Sequence, residues 1–189
     1  MNNSADIAAL PRQFLPGEFQ IINWESLEPW FQQLLDRPLD SVQELERWLK
    51  DSSELEAVIS EEACWRQIRM TCDTTDKNLE SAFVFFVTEI QPRIQAFADQ
   101  LNRKLIDCPF TAKLDQKKYF TFLRNILKSI ELFREANIPL QAELSVLAQQ
   151  YGAVSGAMSV EVDGKEYTLQ QAVKFLHNPD RALRESVFT

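Results

Sequence analysis

Between Leu79 and Leu105 apolar residues recur at intervals of three and four: Leu79, Ala82, Phe83, Phe86, Val87, Ile90, Ile94, Phe97, Leu101 and Leu105. A strand would place its apolar residues at every second position, so this spacing predicts an amphipathic helix with one face against a core. Periodicity sustained over about 30 residues argues strongly for such a helix. The run opens near Thr75-Asp76 and ends at Cys108-Pro109-Phe110. Pro92 falls inside it, and because proline lacks an N–H and crowds the preceding turn, a kink is predicted there.

The rest of the chain repeats the pattern. Residues 1–25, with Pro11, Pro16 and Gly17, read as an irregular N-terminal arm whose apolar anchors are Phe14, Phe19, Ile21, Ile22 and Trp24. Ser26 is the predicted cap of a helix reaching about Arg37, with Leu27, Trp30, Phe31, Leu34 and Leu35 on its buried stripe and Pro38 beyond its end. Ser41-Val42-Gln43-Glu44 has capping-box spacing and opens a helix through Leu45, Trp48 and Leu49. A further helix is predicted from about Ser53, through Leu55, Val58, Ile59, Ala63, Trp65, Ile68 and Met70, to about Asp73. The next runs from about Asp115 to Ala136 by way of Tyr119, Phe122, Leu123, Ile126, Leu127, Ile130 and Phe133. Asn137-Ile138-Pro139 then makes a corner before a helix carrying Leu140, Leu144, Leu147, Tyr151 and Val154. Gly152 and Gly156 near its end would permit close approach of another backbone.

Val160, Val162 and Tyr167 alternate around Asp163-Gly164, a pair suited to the positive φ angles of a two-residue hairpin turn. Thr168-Leu169-Gln170-Gln171 is a second capping box, for a short helix to about Leu176. Asn178-Pro179 supplies a cap followed by proline at the first position of a last helix, and no Gly, Asn or Pro closes that helix before Thr189. The expected fold is all-α, a multi-helix array with one short β-hairpin near residues 158–168. Its expected divisions are the arm at 1–25, a helical domain at 26–157, and a hairpin with connecting helices at 158–189. No internal repeat of fixed period supports a solenoid.

Composition narrows the chemistry. With 189 residues, 45% of them hydrophobic, the chain can bury a sizeable core, while a net charge of −8 disfavours nucleic acid and anionic membranes as partners. No apolar run approaches the roughly 20 residues of a membrane span. Met1-Asn2-Asn3-Ser4-Ala5-Asp6 has neither the basic start nor the apolar core of a signal peptide, so the expected compartment is cytoplasmic.

Cys64, Cys72 and Cys108 are expected to be reduced and at least half-buried, the first two lying about 12 Å apart along one helix at 1.5 Å per residue. A zinc helix of the His-Glu-x-x-His type needs two imidazoles one turn apart, and His177 is alone; its place after a helix reads as a capping residue. The four glycines form no phosphate cradle. Three polar clusters remain. Trp65-Arg66-Gln67-Ile68-Arg69-Met70-Thr71-Cys72-Asp73-Thr74 reads as structural, with Arg69 and Asp73 pairing on one face. Glu131-Leu132-Phe133-Arg134-Glu135 and Asp180-Arg181 to Arg184-Glu185 read as solvated helix faces. Phe83, Phe86, Phe97 and Phe133 read as core. No catalytic, cofactor-binding or metal-ligating residue is therefore assigned.

The segment from Trp65 to Thr74, Ile130-Glu131-Leu132-Phe133-Arg134-Glu135-Ala136-Asn137-Ile138-Pro139-Leu140, and Gly164-Lys165-Glu166-Tyr167-Thr168-Leu169 with Pro179-Asp180-Arg181 together resemble the amino-terminal region of oligoendopeptidase F-like proteins. These are zinc metallopeptidases related to thimet oligopeptidase, and the resemblance covers most of residues 20–189. It implies a mostly helical protein of several hundred residues closing around a channel for short peptides. The implied zinc ligands, a His-Glu-x-x-His helix and a glutamate, belong to a carboxy-terminal catalytic domain absent from this chain, so none is carried onto it. The implied role is one wall of the channel, without catalysis by this piece alone. The alternative is a self-contained helical module binding a peptide or protein. A reading frame continuing past Thr189 into His-Glu-x-x-His separates the two, and the first also predicts exposed apolar surface near the final helix.

Overall fold

A computed structural model describes residues 11–188. The first ten residues and Thr189 lie outside the described part, and with them the start of the arm, the Met1 to Asp6 segment and the close of the last helix. The described chain is all-helical apart from one two-stranded antiparallel hairpin.

Helix α1 spans Trp24–Asp36. Its cap is Asn23, whose Oδ1 accepts the Ser26 N–H at 3.0 Å, while Ser26 Oγ accepts the Asn23 N–H at 3.4 Å. Ser26 is thus the far partner of a capping box rather than the cap. Helix α2, Val42–Cys72, starts as expected on Ser41, whose Oγ accepts the Glu44 N–H at 3.2 Å. The Glu44 carboxylate reaches one residue further back, to the Asp40 N–H at 2.9 Å.

The two helices expected over this stretch are one helix of 31 residues. The polar run that suggested a restart at Ser53 is held by tertiary partners instead. Asp51 pairs with Arg37 at 2.5 Å, and Glu54 accepts the N–H groups of Gln13, Phe14 and Leu15 at 2.8, 3.1 and 2.8 Å. With those side chains occupied, nothing competes with the helical backbone.

The long stripe divides into α3 (Lys77–Phe85), a π turn (Phe86–Ile90) and α4 (Gln91–Asp107). The expected kink takes the form of this wide turn, in which the Gln91 N–H reaches the Phe86 carbonyl. Pro92 then sits in the first turn of α4, directly after the π turn. The same turn buries Phe86, Val87 and Ile90.

A 3₁₀ turn at Thr111–Lys113 leads to α5, Gln116–Leu132, capped by Asp115. This helix stops four residues before Ala136, because Phe133 is extended and Arg134 donates to the carbonyls of Glu131 and Phe133. The corner expected at Asn137-Ile138-Pro139 is the first turn of α6, Asn137–Ala157, a position that tolerates proline.

The core lies among α1, the first half of α2, the π turn and α4; Leu27, Leu34, Leu45, Trp48, Leu55, Ile90 and Leu105 are its largest fully buried side chains. Each such side chain contributes about 1.5–3 kcal/mol of transfer free energy. Polar groups at this core are satisfied: Trp48 Nε1 donates to the Leu34 carbonyl at 2.9 Å. Lys104 Nζ donates to the carbonyls of Leu34, Leu35 and Arg37 at 2.9, 2.6 and 2.6 Å. Lys104 thereby closes the end of α1 with a positive charge, and its burial pushes its pKa down.

In the arm, Leu15 and Ile21 are buried, and Phe14 and Phe19 meet Trp30 edge-on. Ile22 departs from its expected role as an anchor, being 73% exposed, since in extended backbone the neighbour of a buried Ile21 points outward.

Strands β1 (Ser159–Val162) and β2 (Lys165–Thr168) pair with Val162 opposite Lys165. Asp163 (φ 53°) and Gly164 (φ 72°) both occupy the left-handed region that a tight hairpin turn demands. The Thr168–Gln171 capping box opens α7, Leu169–Leu176. Helix α8, Arg181–Phe188, begins later than Pro179. The Asn178 side chain takes the Asp180 N–H at 2.9 Å and Asp180 takes the Ala182 N–H at 2.9 Å, so Asp180 does the capping.

Candidate functional site

The polar clusters resolve into structural parts. Arg66 on α2 bonds Glu62 at 2.7 Å, donates to the carbonyls of Ala82 and Ile21 at 3.0 Å each, and lies over the Phe86 ring; it ties α2 to α3 and the arm. The expected Arg69–Asp73 pair is not formed. Arg69 lies over the Trp65 ring at 5.7 Å, while Asp73, already extended at the helix end, accepts the Thr75 Oγ1 and N hydrogens at 2.7 and 3.0 Å. Those bonds, the hydroxyl first, hold its carboxyl below the usual range.

Glu131 is bonded by Lys128 at 2.5 Å, which lowers its pKa in an exposed pair. Asp180 is engaged in the cap of α8. His177 is exposed and terminates α7, its N–H donated to the Lys174 carbonyl at 3.4 Å.

Cys64 and Cys72 are free and exposed, contrary to the expected burial, and Cys108 is half-buried. Trp65 and Ile68 are exposed too, because over its second half α2 turns chiefly Met70 inward. Phe83, Phe86 and Phe97 pack in or against the core; Phe133 is half-buried at the bend after α5. Among the described residues no group of three or more His, Cys, Asp or Glu side chains is placed to hold a metal ion. The described residues do not fit a zinc centre.

What stands out instead is α6. Leu140, Leu144, Leu147, Tyr151, Val154 and Met158 form one line at spacings of three and four from this helix to its C-cap, and all are more than half exposed. The sequence displays this stripe plainly, but a stripe says that a face is apolar and not whether this chain covers it. The covered side of α6 is also uncharged, with Ala142, Ser145, Val146 and Gln149 half-buried or buried. The described residues thus leave one apolar face of α6 uncovered.

Nor do its glycines meet another backbone as expected. A Cβ at Gly152 would find no atom within 4 Å, and one at Gly156 would meet only the Thr74 side chain at 3.6 Å.

A family model described as the Peptidase M3 N-terminal domain matches residues 14–133, from the arm to the bend after α5. The chain belongs to that family. A solved structure of PZ peptidase A with inhibitor 2 superposes on 93% of this M3 N-terminal domain chain with a TM-score of 0.81 at 22% identity. At that coverage the shared fold extends beyond the stretch that the family model matches, into α6. The chain spans only 32% of the length of that solved chain. No curated protein matches it. Among the described residues of this M3 domain, no helix is long and apolar enough to cross a membrane.

Proposed function

We propose that the chain is the non-catalytic N-terminal helical part of a zinc metallo-oligopeptidase of the oligoendopeptidase F-like type, a cytoplasmic enzyme that hydrolyses short peptides. In this reading residues 26–157 form one wall of the substrate channel, and residues 158–189 lead toward a carboxy-terminal catalytic domain that holds the zinc. The observation that carries it is the exposed stripe of α6 in a chain of the M3 N-terminal family: Leu144 and Tyr151 are 66% and 75% exposed. Apolar side chains lined up in this way are the mark of a surface that another part of a protein covers.

The test is the reading frame and its product. Continuation past Thr189 into a His-Glu-x-x-His motif, with cleavage of short blocked peptides that stops on zinc removal, supports the proposal; a stop codon at that point contradicts it. The self-contained peptide- or protein-binding module draws support from one observation, the chain's own core of Leu27, Leu34, Leu45, Trp48 and Leu55. It would gain if the frame stops.

A further inference from the structure

Between α6 and the second half of α2 the fold leaves a cavity of about 570 Å³, floored by Met70, Phe83, Phe86 and Val87. Its walls carry the amides of Gln67, Gln91, Gln149 and Gln170 and the hydroxyls of Thr74 and Ser155, and no carboxylate, ammonium or guanidinium lines it. Gln149 is 6% exposed; its Nε2 donates to Glu80 at 3.3 Å, and its Oε1 has no partner among the described residues. The side chains of Gln67, Gln91 and Gln170 make no hydrogen bond there either. Glu80, which meets Gln149 from outside the lining, is itself paired with Lys77 at 2.7 Å.

Each free amide offers both a donor and an acceptor. Set over an aromatic floor, they match a ligand made of amides and apolar side chains. From Ser145 to Gly156 the α6 wall measures about 16 Å at 1.5 Å per residue, the reach of about five extended residues at 3.3 Å each.

We propose that this groove binds a short, extended, uncharged peptide segment, the part of a substrate held away from the reacting bond. The proposal deepens the peptidase reading, on which its biological sense rests. A charged side chain entering the groove would lose its hydration and meet no charged group in the lining, the nearby Arg66 and Glu80 being already paired with Glu62 and Lys77, so the site selects against Asp, Glu, Lys and Arg.

Side-chain amide NMR of the 189-residue chain tests this, with a blocked pentapeptide of alanine, leucine and serine and with versions carrying Asp or Lys at the centre. The neutral peptide should shift the amide signals of Gln67, Gln91, Gln149 and Gln170 saturably, and the charged versions should bind about tenfold more weakly. Gly152→Leu places a side chain in open space on the lining and improves helix propensity, so it should abolish the shifts without lowering the melting temperature. Absence of saturable shifts, shifts confined to the face of Leu140, Leu144 and Leu147, or binding unaltered by Gly152→Leu would each overturn the proposal. Hydrolysis by the complete protein without binding here would sink the groove and spare the peptidase reading; binding here without hydrolysis would do the reverse.

Discussion

Glu54 shows how one side chain can organise a segment that has no secondary structure of its own. Its carboxylate gathers three successive N–H groups of the arm, from Gln13 to Leu15, and so seats Leu15 in the core. Burial raises its pKa, but the bonds from Leu15, Gln13 and Phe14 and the charge of Arg12 outweigh that, and the carboxyl titrates below its ordinary 4.5. Glu54→Gln keeps one acceptor and loses the charge, so chemical unfolding at neutral pH should show a loss of about 1–2 kcal/mol. Because the folded-state pKa is depressed, this stabilisation is complete above 4.5 and disappears as pH falls through the folded value. The gap between the two proteins should therefore narrow steadily below that pH. In the sequence Glu54 was one acid in a polar run that resembled a helix start. Its partners lie about 40 positions away, and no local pattern reveals them. Asp163-Gly164 is the opposite case, since a left-handed turn is a property of the residues themselves and was legible at once.

Elements were legible where local signals and burial agree. The capping box at Thr168, the cap at Ser41 and the hairpin lie where the residue types put them. Boundaries moved where distant partners intervene, as in the fusion of two expected helices into α2, or where proline is absorbed by a π turn rather than a bend. Periodicity identified the stripe of α6 as readily as those of α1 and α2, yet their fates are opposite: Leu27 on α1 and Leu45 on α2 are fully buried, while Leu144 faces solvent. A matched pair of substitutions separates them. Leu45→Ala should cost about 2–5 kcal/mol in unfolding free energy, because it removes atoms from a packed core. Leu144→Glu in the same 189-residue chain should change it by no more than about 0.5 kcal/mol, and a loss comparable to that of Leu45→Ala would mean that the chain itself covers α6.

At the scale of the whole molecule, fold and family agree that this is a helical M3 N-terminal domain. The resemblance read from the segments at Trp65, Ile130 and Gly164 agrees with the family model at the level of an M3-type peptidase N-terminal region, although that model stops at residue 133. The large exposed apolar surface was expected near the final helix; Phe188 is exposed there, but the continuous face lies on α6, one element earlier than the hairpin. A sequence shows which residues are apolar, and only packing shows which are left over. The central claim is that α6 is an interface inside a complete peptidase. It is tested most directly by thiol labelling of Leu144→Cys, with Cys64, Cys72 and Cys108 replaced by serine, in the 189-residue chain and in the product of the full reading frame. The account predicts rapid labelling in the chain and at least about tenfold slower labelling in the complete protein. Equal rates in the two would contradict it.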